Sequence, residues 1–198
     1  MPVEQVKPEI LYVPPTAHSP NSKLPVVVYR NALTDPTPDG VLQAVEESEW
    51  KKGGHWKIAK ESLAATPHYH STTHEAYTVL HGAATYLLGK SPLDPGTDSN
   101  GDSTGVRFTA RAGDVFVFPA GVTHFVTDVE DEYEFIGFYS LSSQNDQNSL
   151  KEPYNMEYAT DSIEITNQKR GKCELVPVPA HDPIYGEEGP MIKIWKSV

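Results

Sequence analysis

The stretch His68-Tyr69-His70-Ser71-Thr72-Thr73-His74-Glu75, followed after six residues by Gly82, decides the fold of this chain. Residues two apart on a strand share a face, so His68 and His70 point to the same side. Glu75 is five residues from His70, an odd separation that would put it on the opposite face of a continuous strand. A bend between them resets that parity and lets Glu75 join the two histidines.

A second informative stretch begins at Gly113, from which five residues lead to Pro119-Ala120-Gly121, then Val122-Thr123 and His124. Glycine and proline turn the chain sharply after Asp114–Phe118, so His124 opens the next strand from the same end of the sheet. A fourth candidate ligand therefore arrives from a separate element. Imidazole and carboxylate donors together suit Fe, Mn, Ni, Cu or Zn.

The two spacings resemble the two motifs of the cupin family. The first motif is His-x-His, four residues, Glu, six residues and Gly, and the second is Gly, five residues, Pro-x-Gly, two residues and His. Two departures are small: Ser62 stands where the family usually opens the first motif with Gly, and Asp128 where the second usually ends in Asn.

The resemblance extends to a subfamily of small single-domain cupins of bacteria and fungi. In that subfamily a Trp-containing segment precedes the His-Tyr-His-Ser run, as Trp56 does here. The chain also ends in the subfamily's pattern, with Asp182-Pro183-Ile184-Tyr185-Gly186, then Gly189-Pro190 and Trp195. The residues near 90–105 and 146–172 stand as insertions relative to this pattern.

The resemblance implies an all-β cupin jelly-roll barrel that holds one divalent transition-metal ion. Its ligands would be His68, His70, Glu75 and His124, and Fe(II) is weakly favoured among Fe, Mn, Ni, Cu and Zn. Four protein ligands leave coordination positions for water, substrate or dioxygen, whereas a closed structural site leaves none.

Strand parity also predicts what surrounds the ion. Tyr77 shares a face with Glu75, and Val126 shares one with His124, so we expect Tyr77 and Val126 to line a substrate pocket. Tyr77 is equally compatible with a core aromatic whose hydroxyl is satisfied. The same parity turns His74 away from Glu75, toward a supporting or surface position. No residue is assigned a catalytic role.

The chain is expected to form one domain over residues 1–198, with an extended N-terminal arm (1–23), a barrel core carrying both motifs (56–145) and an extended C-terminal extension (146–198). One short helix is predicted before the barrel, capped by Thr37 and closed by Lys51–Gly54. Short runs rich in Val, Thr, Phe and Tyr then indicate antiparallel strands. They are Glu75–Leu80, Ala83–Leu88, Val106–Ala110, Asp114–Phe118, Thr123–Asp128 and Glu134–Ser140.

Composition excludes several function classes. Sixteen basic against 27 acidic residues give a net charge of -11, which repels nucleic acids and anionic membranes. A single cysteine, Cys173, and the lack of a secretory signal favour the cytoplasm. We expect a small-molecule substrate, and a homodimer is left open.

Three hypotheses for function follow from the metal site. The first is an oxidoreductase of dioxygenase type acting on a small organic molecule in small-molecule or secondary metabolism. The second is an isomerase, epimerase or lyase in which the ion polarises a carbonyl group and a pocket base moves a proton. The third is a non-catalytic ligand-binding cupin. Oxygen uptake separates the first hypothesis from the second.

Overall fold

The computed structural model describes residues 2–141 and 156–198, and in this part of the chain most of the regular secondary structure is antiparallel sheet. The strands are β1 (Glu9–Leu11), β2 (Val26–Tyr29), β3 (Trp50–Ile58), β4 (His68–Tyr69), β5 (Glu75–Leu88), β6 (Val106–Arg111), β7 (Val115–Phe118), β8 (His124–Ser140) and β9 (Glu157–Tyr158). The helices are α1 (Pro38–Ala44), α2 (Ile163–Cys173) and α3 (Pro190–Lys196). A single 3-10 turn covers Lys60–Ser62.

Two long strands, β5 and β8, organise the sheet. They pair with each other along their length, and the register shifts around His81 and Gly82, where Gly82 has φ of +71°. The first part of β5 also pairs with β7 and its last part with β6, while β8 pairs with β3 and β4. Each long strand thus bends from one face of the molecule to the other, and the sheet curls into the jelly roll predicted from the sequence.

Each of these long strands was predicted as two shorter ones. The residues between the predicted halves of β5 include a glycine with positive φ, and those in β8 include Asp131 with φ of +58°. These residues looked like turn signals in the sequence. In the structure they are bends and bulges within continuous pairing, because irregular residues inside a ladder increase its curvature.

Alternate residues of the central strands pack into two cores. Phe116 and Phe118 of β7 join a core inside the barrel, whereas Val115 and Val117 join a second core on its outer face. Strands buried on both faces have nearly continuous apolar sequences. The second core is covered by α1 and α3, whose Val41, Met191, Ile192 and Trp195 are buried.

The helix predicted before the barrel is shorter than expected. Thr37 caps it, since its Oγ1 accepts a hydrogen bond from the Gly40 N–H at 3.2 Å, but α1 ends at Ala44. Lys51–Gly54 belong to β3 instead and pair with β8. A side chain at Gly53 would overlap the Tyr139 ring, so the glycines permit close packing of rings on β3 and do not terminate a helix.

The C-terminal extension is not only extended chain, because it contains α2 and α3. Ser162 caps α2, and Pro190 starts α3, where a missing N–H costs little. The N-terminal arm contributes β1 and is held by Asn21, whose Nδ2 donates to the Gly89 carbonyl at 3.0 Å. The predicted boundary at 145/146 lies outside the described residues.

The three described helices are short, and none is long and apolar enough to cross a membrane.

Candidate metal centre

Pairing of β4 with β8 brings two predicted ligands together. His68 is directly opposite His124 in the antiparallel register, and the two ring centroids lie 4.4 Å apart. His68 comes from the first motif and His124 from the second. The strand register therefore joins the two motifs.

His70 is fixed by the turn that precedes His124. The backbone N–H of Gly121 donates to the His70 carbonyl at 2.8 Å. Gly121 has φ of +89°, and a Cβ there would lie 2.8 Å from the Asn21 carbonyl oxygen and 2.7 Å from Cys173 Sγ. The Pro-Ala-Gly turn requires glycine at this point for both reasons.

The three histidines converge. One nitrogen from each of His68, His70 and His124 lies within 4.8 Å of the corresponding nitrogens of the other two. Glu75 Oε2 lies 3.2 Å from His124 Nε2 and 3.4 Å from His70 Nε2. The structure thus brings all four predicted ligands close together. Of the four, only the three histidines form a group in which all donor atoms lie within 4.8 Å of one another. The chain bends at Ser71–Thr72, between His70 and Glu75, as the parity argument requires.

Backbone carbonyls fix the tautomers of two histidines. The Nδ1 atom of His68 lies 2.8 Å from the Thr66 oxygen, and that of His124 lies 3.0 Å from the Val122 oxygen. A carbonyl oxygen only accepts, so each Nδ1 carries a proton, and Nε2 is the nitrogen available to a metal. Metal-binding histidines are typically oriented by this kind of outer hydrogen bond.

The charges of the cluster also fit a cation. Burial lowers the pKa of His68 to about 3, with a further contribution from His124, so the His68 imidazole is neutral at pH 7. Burial raises the pKa of Glu75, but His70 and His124 outweigh it and hold that pKa below its usual range. Neutral imidazole and ionised carboxylate are the forms that bind a metal.

The environment of Glu75 provides a further test of whether the site suits a metal ion. Its side chain is 2% exposed, and neither carboxylate oxygen has a hydrogen bond of good geometry within the described residues, although His70, His124 and Tyr77 are its neighbours. An ionised carboxylate buried in this way is costly unless a cation compensates it. The donor set therefore fits a divalent transition-metal ion.

Two adjoining cavities open beside the cluster. One of about 230 Å³ is lined by His68, His124, Tyr77 and Val126, among others. The second, of about 450 Å³, shares His68 and Tyr77 with the first and adds His70. The two residues predicted to line a pocket, Tyr77 and Val126, both border the smaller cavity. No residue of the 89–105 loop lines either one.

Two aromatic residues complete the surroundings of His124. The Tyr77 hydroxyl lies 3.4 Å from His124 Nε2. Phe118 stacks on the His124 imidazole, with ring centroids 4.3 Å apart and an interplanar angle of 18°. Phe118 was not singled out from the sequence. Its position at the end of the apolar strand just before the Pro-Ala-Gly turn was the signal that could have identified it.

The remaining histidines stand apart from the cluster. His74 is buried just before β5, where its Nδ1 accepts from the Ala120 N–H and its ring packs on Trp195. Its position is internal, so the surface alternative is wrong for this residue. His81 is exposed, as expected for a residue beside Gly82.

A sequence model of the cupin family, described as Cupin, matches residues 57–158, which is half of the chain and contains all four predicted ligands. The chain belongs to the cupin family. The family assignment agrees with the curled antiparallel sheet and with the two motif spacings.

Among known proteins, this cupin is similar to the uncharacterized protein YjlB of Bacillus subtilis (strain 168). The two are 28% identical over 186 residues, which cover 93% of this chain and 94% of YjlB. Two solved structures are also similar to parts of this chain. RmlC of Streptococcus suis, in complex with dTDP-D-xylose, is 9% identical over 67% of this chain and 70% of its own, with a TM-score of 0.38.

The second structure is the oxalate decarboxylase of Lactobacillus farciminis, in a formate complex. It is 14% identical over 87% of this chain and 41% of its own, with a TM-score of 0.34. Similarity at this level says nothing about substrate or reaction, since one fold serves many chemistries.

Proposed function

We propose that this cupin is a metal-dependent enzyme acting on a small organic molecule, and that it is an oxidoreductase using Fe(II) and dioxygen. The observation that carries the proposal is the convergence of three imidazole nitrogens and a buried carboxylate, with the three histidines bordering adjoining cavities. A purely structural metal site would have no reason to border such a space. We also propose that the chain forms a single domain.

His68, His70, Glu75 and His124 would hold the ion. Bound there, a redox-active metal would supply Lewis acidity and one-electron chemistry toward oxygen. The chain itself supplies orientation: the carbonyl groups of Thr66 and Val122 fix the rings of His68 and His124.

Tyr77 is the protein group best situated to contact a substrate. Burial raises its pKa well above the usual range, with Glu75 adding to the effect, so its hydroxyl stays protonated and can donate a hydrogen bond. That hydroxyl is 3.4 Å from His124 Nε2, and Tyr77 borders both cavities. A substrate oxygen beside the ion would therefore be within reach of a fixed donor.

The same hydroxyl favours a second candidate, an isomerase, epimerase or lyase. A protonated tyrosine beside a metal that polarises a carbonyl group could return a proton to the substrate. This reaction consumes no oxygen, so oxygen uptake distinguishes the two. A non-catalytic cupin would bind a ligand and turn over nothing.

The test begins with metal-free protein reconstituted under anaerobic conditions with Fe(II), Mn(II), Ni(II), Cu(II) or Zn(II). Elemental analysis should give about one ion per chain, since one complete ligand set is present. Substrate-dependent oxygen uptake is then screened over a panel of small organic molecules, with His68→Ala as the metal-deficient control. Stoichiometric iron without oxygen uptake, together with product formation under anaerobic conditions, would favour the isomerase or lyase. Failure of every ion to bind would refute the proposal.

A further inference from the structure

The lining of the smaller cavity beside His68 and His124 contains no lysine, arginine, aspartate or glutamate among the described residues. It is bordered by Ile58, Ser62, Leu63, Ala64, Thr66, His68, Tyr77, Tyr86, His124, Phe125, Val126 and Phe135. These described residues include two aliphatic hydroxyl groups and two phenols, and they include no Lys, Arg, Asp or Glu. Apart from an ion held by the histidines, the lining offers no counter-charge to a ligand.

Charge therefore discriminates among ligands in this space. A carboxylate or phosphate held against this lining would lose part of its water without gaining a charged partner, which is costly. The ammonium group of Lys57 borders the larger cavity and not this one, and it is engaged by Glu132 and Glu134 at 3.2 and 3.3 Å.

Size and shape favour a single ring. A cavity of about 150 Å³ lined by apolar side chains can hold benzene, and this one is about 230 Å³. The rings of Tyr77 and Phe135 form one wall with centroids 4.7 Å apart. Aromatic walls of this kind attract a flat ring through stacked or edge contacts. There is room for one ring with one or two small substituents.

The cavity also has a polar end and an apolar end. His68, His124 and the Tyr77 hydroxyl form the polar end. Val126 lies two residues farther along β8 on the same face as His124, about 7 Å away by strand geometry, and it pairs with Tyr86 of β5. An oxygen substituent would turn toward the histidines while the opposite edge of the ring meets Val126.

We propose that this cavity takes an uncharged, single-ring aromatic molecule carrying a hydroxyl or carbonyl oxygen, with the oxygen turned toward His68, His124 and Tyr77. The proposal deepens the proposed function and rests on it for the role of this molecule as substrate. Its binding selectivity, however, is a property of the cavity walls and is measurable without metal.

The test compares p-cresol with 4-hydroxybenzoate, which share a phenol and differ in a methyl or a carboxylate at the opposite edge. In the metal-free full-length chain, p-cresol should bind about tenfold more tightly or better, because the unpaired carboxylate is penalised. Binding is followed by NMR through the methyl signals of Leu63 and Val126. Equal binding, tighter binding of 4-hydroxybenzoate, or no shift of these methyl signals would overturn the proposal.

A substitution that adds a positive charge to the cavity wall provides a second test. Leu63→Lys adds an ammonium group to the half-buried wall and should narrow or reverse the preference for p-cresol. Leu93→Lys is the matched control, since Leu93 is 53% exposed and lies outside this cavity, and it should leave the preference unchanged. An unchanged preference in Leu63→Lys, or an equal change in both variants, would contradict the assignment of the ligand to this cavity.

Metal loading then separates this inference from the proposed function. Zn(II)-loaded protein should still bind p-cresol, because the ring and the ion occupy neighbouring spaces. Loss of p-cresol binding on loading would overturn the proposed arrangement. Selective p-cresol binding by a chain that takes up no metal would instead refute the metal-dependent function and leave the cavity assignment intact.

Discussion

The Nδ1 atom of His74 accepts a hydrogen bond at 3.0 Å from the backbone N–H of Ala120. On the other side of the ring, Nε2 donates to the Pro177 carbonyl at 3.2 Å, and the ring packs on Trp195. His74 directly precedes Glu75, and Ala120 belongs to the turn that leads to His124. One satisfied imidazole therefore connects both motifs to the C-terminal segment.

These contacts of His74 predict that His74→Ala loses mainly stability, whereas His70→Ala loses mainly metal. His74→Ala should keep about one ion per chain at saturating metal but lose on the order of 3 kcal/mol of unfolding free energy, through a cavity and two lost hydrogen bonds. His70→Ala should remain folded and lose most of its metal. Elemental analysis and urea unfolding measure the two effects. Equal loss of metal in both variants would mean that the ligand assignment is wrong.

His74 also predicts how stability depends on pH. Burial lowers its pKa from 6.5 to about 4, so between these values the unfolded chain takes up a proton that the folded chain refuses. The contribution to stability is complete above pH 6.5 and falls as the pH decreases toward 4, by about 3 kcal/mol at pH 4.

The measurement is urea unfolding of the metal-free chain between pH 4 and pH 7. His74→Gln should be less stable at pH 7 and should show a shallower decline toward pH 4. His81→Gln is the control because His81 is exposed, and it should follow the parent. Parallel pH profiles for His74→Gln and the parent would exclude a neutral buried His74.

The turn before His124 predicts a third outcome, for Gly121→Ala. The added Cβ would meet the Asn21 carbonyl and Cys173 Sγ, in addition to the strain of a φ of +89°. Gly101→Ala is the matched control, with φ of +88° and nothing within 4 Å of the added Cβ. Backbone strain alone costs about 1–2 kcal/mol.

Gly121→Ala should therefore cost roughly 1–3 kcal/mol more than Gly101→Ala, because overpacking adds to the strain. Only Gly121→Ala should also weaken metal binding, since the turn it disturbs carries His124. Thermal unfolding and metal titration measure the two effects. If Gly121→Ala and Gly101→Ala lose similar amounts of stability and bind metal equally well, the close contacts of Gly121 are not required for stability or for metal binding.

Much of the site could be predicted from sequence because strand parity and turn chemistry act locally. The separation of His68 and His70 fixes their common face, and a bend before Glu75 follows from the requirement that it join them. The turn before His124 is likewise marked by its proline and glycine. These rules needed no knowledge of distant contacts.

Other features could not be predicted because they depend on tertiary contacts. Lys51–Gly54 looked like the end of a helix, yet pairing with β8 made them a strand. The helix α2 has little amphipathic character and is held through Arg170, whose side chain donates to carbonyl groups of the N-terminal arm. The bridging role of His74 likewise depends on Pro177, which is far away in sequence.

Glu75 allows the sharpest test of the metal assignment, because it is the only carboxylate of the predicted set. Its Oε2 lies 3.2 and 3.4 Å from Nε2 of His124 and His70. Glu75→Gln keeps the shape but removes the charge that compensates a divalent ion, so metal affinity should fall at least about tenfold. The fold should survive, because the apolar cores hold the barrel together.

The matched control is Glu130→Gln, on the exposed part of β8, which should bind metal like the parent. Metal content and turnover are measured together, and activity should fall further than occupancy at saturating metal, because the carboxylate also tunes the electron density of the ion. A Glu75→Gln protein that binds metal and turns over like the parent would show that Glu75 is not a ligand.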